Sequence, residues 1–179
     1  MKKIVATTVL VLVTATGCSL FGGGTTTAGS PSPTTPQFTE AEQVAITALT
    51  NAFSSGKLTP KSSSTEASCL ATGLVSTLGT EKLTEYKFIK PTMQASKKGF
   101  GTVAMSEEDA TATAGVVLGC LKPLAVVTQI TEGAGLKKKQ VTCLSTKLSQ
   151  SALSKMLIGY LDQVPPLTKP IAKAYNACA

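Results

Sequence analysis

The chain has 179 residues and a formal net charge of +7, and it is 42% hydrophobic but only 4% aromatic, with no Trp, no His and no Arg. Without His and Arg the commonest general base, the commonest metal ligand and the bidentate clamp for phosphate are all missing, so no catalytic residue, metal or cofactor is assigned. A core of Ala, Val and Leu suits close-packed helices better than a sheet, and lysine charge without Arg or stacking aromatics argues against nucleic acid and for a mild attraction to anionic envelope surfaces.

Lys2 and Lys3 form a positive n-region before the apolar run Ile4 to Val13, which is short for a transmembrane helix. Thr14-Ala15-Thr16-Gly17 then supplies small residues ahead of Cys18. This pattern resembles the signal peptide and lipobox of bacterial lipoproteins, with Ala15 standing where Leu is usual. The resemblance implies that residues 1–17 are removed and that Cys18 carries diacylglycerol on its sulfur. The protein is then expected to be lipid-anchored at the extracytoplasmic face of the cell membrane. Cysteine arithmetic points the same way: of five cysteines, lipidation of Cys18 leaves an even four. Loss of Lys2 and Lys3 lowers the charge to about +5, a level that also keeps a small domain soluble. Residues 18–37 carry the anchor cysteine and a Gly/Thr/Pro-rich linker without charge. The linker has too little apolar surface to offset its ordering entropy and is expected to be disordered. Its nineteen residues from Ser19 to Gln37 reach about 25 Å as a coil and about 60 Å when stretched.

Residues 38–179 read as one all-α domain. Thr39 with Glu42 forms a capping box, Val44, Ile46, Leu49 and Phe53 follow at partly helical spacing, and Gly56 stops the segment. Ser54-Ser55-Gly56-Lys57 has the S-x-x-K spacing in which Lys activates Ser in penicillin-binding enzymes, but S-D-N, K-T-G and G-x-S-x-G are absent, which makes a serine-type envelope hydrolase a minor alternative. Ser62 to Ser64 precede a stripe of Ala67, Leu70, Leu74 and Leu78, with Cys69 beside it; Gly79 ends this helix and Glu81 to Phe88 add a turn or two. Ile89 to Val103, with Pro91, Gly99 and Gly101, is the longest loop inside the domain.

Ser106 caps a central helix from Met105 to Leu121, and Glu107, Glu108 and Asp109 fall in the first turn, where the helix dipole favours acids. A cation site on these carboxylates is the rival reading, but no second acidic cluster lies nearby in sequence. Ala110, Ala114, Val117, Leu121 and Leu124 are the predicted buried stripe, ended or kinked by Pro123. Gly133 and Gly135 break the chain. Lys137-Lys138-Lys139 then opens a helix against its own dipole, with Val141, Leu144 and Leu148 facing inward. Leu153, Leu157, Tyr160, Leu161 and Val164 mark another amphipathic helix, stopped by Pro165-Pro166, and Thr168 to Ala177 makes a last short one with Pro170 near its first turn.

An internal match organises these elements. Cys69-Leu70-Ala71-Thr72-Gly73-Leu74 aligns with Cys143-Leu144-Ser145-Thr146-Lys147-Leu148 at four of six positions, and aligning Phe38-Thr39-Glu40 with Met105-Ser106-Glu107 puts Phe53 on Cys120. The expected architecture is a small disulfide-stapled bundle of repeated helix pairs. Each C-L helix should bond to the cysteine of the helix that follows, giving Cys69–Cys120 and Cys143–Cys178. A metal site on these residues would need closer ligands such as C-x-x-C, which is absent. From Thr59 to Cys178 the order C-L-x-x-x-L, S-x-x-D-A before a cysteine-ended helix, a second C-L helix and a terminal cysteine resembles a family of exported actinobacterial-type four-cysteine helical proteins. That resemblance implies a fold and brings no activity with it. The expected function is a non-catalytic binding or structural module of the cell envelope, with a membrane contact through Cys18 and an envelope protein or glycan as partner. Carriage of a small ligand or lipid is the alternative.

Overall fold

In the computed structural model the described residues are 37–58, 62–131, 134–164 and 169–178. Residues 1–36, which hold the expected signal peptide, Cys18 and most of the expected linker, and also Gly133 and Pro165-Pro166, lie outside them. The described residues form seven α-helices and no strand: α1 (Glu40–Ser54), α2 (Ser64–Glu85), α3 (Glu107–Cys120), α4 (Pro123–Ile130), α5 (Lys138–Lys147), α6 (Gln150–Leu161) and α7 (Lys169–Asn176).

Each long helix begins where its sequence offers an oxygen to the first free N–H groups. Thr39 and Glu42 at α1, and Ser63 and Glu66 at α2, close reciprocal capping boxes. The Ser106 hydroxyl accepts from the Asp109 N–H at α3, and that of Ser149 from the Ala152 N–H at α6. The hydrogen bonds from the Thr39 and Ser63 N–H groups hold the carboxyls of Glu42 and Glu66 below the usual glutamate range. At Gly79 the backbone of α2 turns to φ 72°, ψ 166°, a conformation open essentially to glycine alone, and the helix resumes on the far side. The predicted stop and the extra turns after it are therefore one interrupted element.

α1 packs on α2, α2 on α3 and α3 on α6, while α4 lies against α5 and α6. The stripe Ala67, Leu70, Leu74 and Leu78 is buried as its spacing requires, and so are Ala110, Ala114, Val117 and Leu121. Three expected core residues are exposed instead: Val44, Leu124 and Val164. In α1 the buried face runs through Ala45, Leu49, Ala52 and Phe53, which turns Val44 outward. Leu124 leaves its stripe because α3 does not continue to it. Leu121 is extended, Lys122 takes the extended backbone that the residue before a proline prefers, and Pro123 opens a new helix, α4, at its first turn. Val164 lies beyond the C-cap of α6 at Asp162.

The long loop after α2 is fastened to the core. Phe88 and Ile89 are buried at its start and Phe100 near its end. Phe100 stacks on Phe53 with ring centroids 6.1 Å apart and meets Phe88 edge-on at 5.0 Å. A bridge between Ile89 and Ala95 and the hydrogen bond from the Ser96 N–H to the Phe88 carbonyl close the bend between them.

Candidate functional site

The four cysteines expected to pair do so in the expected combination. Cys69 bonds Cys120 with Cα atoms 5.6 Å apart, and Cys143 bonds Cys178 at 5.7 Å. The first bridge joins α2 to α3. One turn in from it, Gly73 meets Val116 so closely that a Cβ there would lie 2.6 Å from Val116 Cγ1. The matching position in the second C-L segment is Lys147, which is exposed. The two copies thus share a cysteine and a helix but not a packing surface. The second bridge ties α5 to the segment after α7, a helix in which Ala174 is buried and Tyr175 is 47% exposed.

Of the three acids that open α3, Asp109 turns inward. Its carboxylate is buried and accepts hydrogen bonds from Lys82 Nζ at 2.5 Å and from the Tyr86 hydroxyl at 2.7 Å, while the Tyr86 oxygen accepts from the Ser106 N–H at 3.3 Å. The Lys82 contact is the main reason the Asp109 carboxyl sits below the usual carboxylate range, and the same contact raises Lys82. This network clamps the tail of α2 to the start of α3. With both oxygens engaged, Asp109 is a structural anchor and not part of an open carboxylate cluster. Among the described residues no three His, Cys, Asp or Glu side chains gather as metal ligands would.

Among the described residues lies a groove of about 900 Å³. Gly56, Lys57 and Leu58, after α1, form one wall, and Gly99, Phe100 and Thr102 of the long loop form its floor. Thr128, Gln129 and Thr131 of α4 with Leu136 and Val141 at the start of α5 face them, and Tyr160 of α6 closes the end. Two glycines set this shape. A Cβ on Gly99 would lie 2.4 Å from the Leu58 carbonyl oxygen, and one on Gly101, at φ 76°, would lie 2.5 Å from the Tyr160 ring. The Tyr160 hydroxyl donates to the Phe100 carbonyl at 2.9 Å and accepts from Gln129 Nε2 at 3.3 Å. Side chains of α4 and α6 therefore hold the loop open as a fixed wall.

Of the S-x-x-K pair, Lys57 lines the groove and Ser54 is not among its lining residues. Lys137, Lys138 and Lys139 are exposed at the start of α5, just past Leu136. There the Lys137 N–H is satisfied by the Gln140 side chain at 2.9 Å. Sequence reasoning singled out the loop, Lys57 and the three lysines separately. It missed Thr128 and Gln129 as groove residues because α4 itself was not legible, and it read Tyr160 only as part of the amphipathic stripe of α6.

Fold and site together define a class: an all-α domain stapled by two disulfides, with a groove between its helices to which Lys57 contributes. No family model matches the chain, and no curated protein and no solved structure resembles it significantly.

Proposed function

We propose that this chain is an exported lipoprotein, anchored through Cys18 at the extracytoplasmic face of the cell membrane, whose helical domain is a non-catalytic binding module of the cell envelope. The observation that carries the reading is the distribution of the cysteines. Four of the five are bonded in pairs inside the helical domain, and the one left over is the cysteine that follows the apolar leader. Paired disulfides persist in oxidising, extracytoplasmic compartments, and an acyl-modified cysteine leaves no unpaired thiol. No described helix is long and apolar enough to cross a membrane. The linker of residues 18–37 sets the distance between membrane and domain. The groove is the binding surface: its lining offers hydroxyls, an amide and a lysine, and no pairing of a nucleophile with a base.

Replacing Cys18 by Ser tests the anchor. Cells fed a labelled fatty acid should label the wild-type chain and not the variant, and the variant should leave the membrane fraction for the soluble one. A variant that keeps both label and membrane association contradicts the reading.

A further inference from the structure

We infer that the groove binds an anionic glycan, a chain that carries both many hydroxyl groups and negative charge. This inference rests on the binding-module reading above and names its ligand class.

The first observation is the direction of the groove's hydrogen bonds. The hydroxyl protons of its three threonines are already committed: Thr128 Oγ1 donates to the Leu124 carbonyl at 2.7 Å, Thr131 Oγ1 to the Val127 carbonyl at 2.7 Å and Thr102 Oγ1 to the Gly99 carbonyl at 2.8 Å. The Tyr160 proton is spent on Phe100. These oxygens keep lone pairs, so they accept. A ligand that meets them must donate, and hydroxyl groups in a row are what a sugar chain supplies.

The second observation is charge. Lys57 lines the groove, Lys97 and Lys98 precede its Gly99, and Lys137 to Lys139 follow its Leu136; all six are exposed. None of the described lining residues is acidic. Of the nearby acids, Asp162 is engaged with the Val164 N–H at 2.9 Å, and Glu132 lies outside the described residues. Lysine is a point charge on a flexible stem and suits anions spread along a chain better than one planar anion. Nucleic acid is the poorer fit: its phosphates accept and do not donate, and the groove's aromatic rings, Phe100 and Tyr160, are held in the protein and offer no stacking platform.

Binding to the full-length chain in neutral detergent tests this. Four oligomers of equal length serve as probes: polygalacturonate and poly(glycerol phosphate), which carry hydroxyls and charge; dextran, which carries hydroxyls without charge; and oligothymidylate, which carries charge and bases but no hydroxyls along the chain. At least one of the first two should bind roughly tenfold more tightly than both controls, and its identity names the anion. Exchanging Lys57, Lys97 and Lys98 together for Gln should weaken that binding roughly tenfold and flatten its salt dependence. The same change at Lys147, Lys155 and Lys173, which neither line the groove nor adjoin a lining residue in sequence, should shift it less than about twofold. Thr128→Trp puts a bulky ring into one side of the groove without altering charge and should weaken binding roughly tenfold. Equal binding of oligothymidylate, equal binding of dextran, or full binding by Thr128→Trp overturns the inference. So does a photo-crosslinker at Thr128 that captures a protein on intact cells, an outcome that leaves the binding-module reading standing.

Discussion

Asp109 makes the bundle sensitive to acid. Its folded carboxyl sits below its ordinary value, chiefly through Lys82, so the stabilisation it brings is fully present above the unfolded value of about 3.9 and is lost as pH falls through the folded one. Asp109→Asn should cost about 2 kcal/mol at neutral pH, because a part-buried, charge-assisted pair is broken and the single Asn oxygen cannot accept from both Lys82 and Tyr86. The variant should also lose less stability than the wild type between neutral pH and pH values below the carboxylate range. Urea midpoints across that pH series check both. Gly101→Ala should cost roughly 1–3 kcal/mol, since the new methyl collides with the Tyr160 ring and the residue must hold a positive φ. Its signature in the same urea series is a lowered midpoint with an unchanged acid limb. At this scale the sequence was half legible. Asp109 stood out as a first-turn acid, but its partner lies 27 residues earlier and is brought to it only by the packing of α2 on α3. Gly101 stood out as a loop glycine, while the ring that demands it comes from α6.

The two bridges staple elements of different standing. Cys69–Cys120 crosses helices that already share a buried face, including the Gly73–Val116 contact. Cys143–Cys178 secures α7, which is short and largely exposed. Loop-closure entropy assigns each bridge roughly 4 kcal/mol, yet the consequences differ. Exchanging Cys143 and Cys178 for Ser should strip amide-exchange protection from residues 171–177 while helices α1 to α3 stay protected. Exchanging Cys69 and Cys120 should lower the stability of the whole bundle. Equal loss across all helices in the first variant contradicts this division. The bonded pairs were legible because the C-L segments repeat and each is followed by one further cysteine. α4 was not. It buries only Val126 and Val127, too few residues to show a helical repeat, and its Pro123 marks a stop and a start at once. Losing α4 from the reading meant losing the far wall of the groove.

For the molecule as a whole, the low aromatic content and the high share of Ala, Val and Leu were enough to specify helices, and the absence of His and Arg narrowed the chemistry the surface can offer. What these properties do not encode is where separate loops meet. Lys57 lines the groove, and Lys97–Lys98 and Lys137–Lys139 are next in sequence to its lining residues Gly99 and Leu136, so three separate turns bring these segments to one place. In the proposed setting, a lipid on Cys18 tethers the domain through residues 18–37. Both claims, export and stapling, are read in the oxidation and modification state of the cysteines. The most direct test is mass spectrometry of non-reduced peptides from the membrane-bound chain, treated with alkylator before any reductant. The expected map contains Cys69 linked to Cys120, Cys143 linked to Cys178, none of the four alkylated, and an acylated Cys18 at the mature N-terminus. Alkylator on those four thiols, or an unmodified Cys18, contradicts the account.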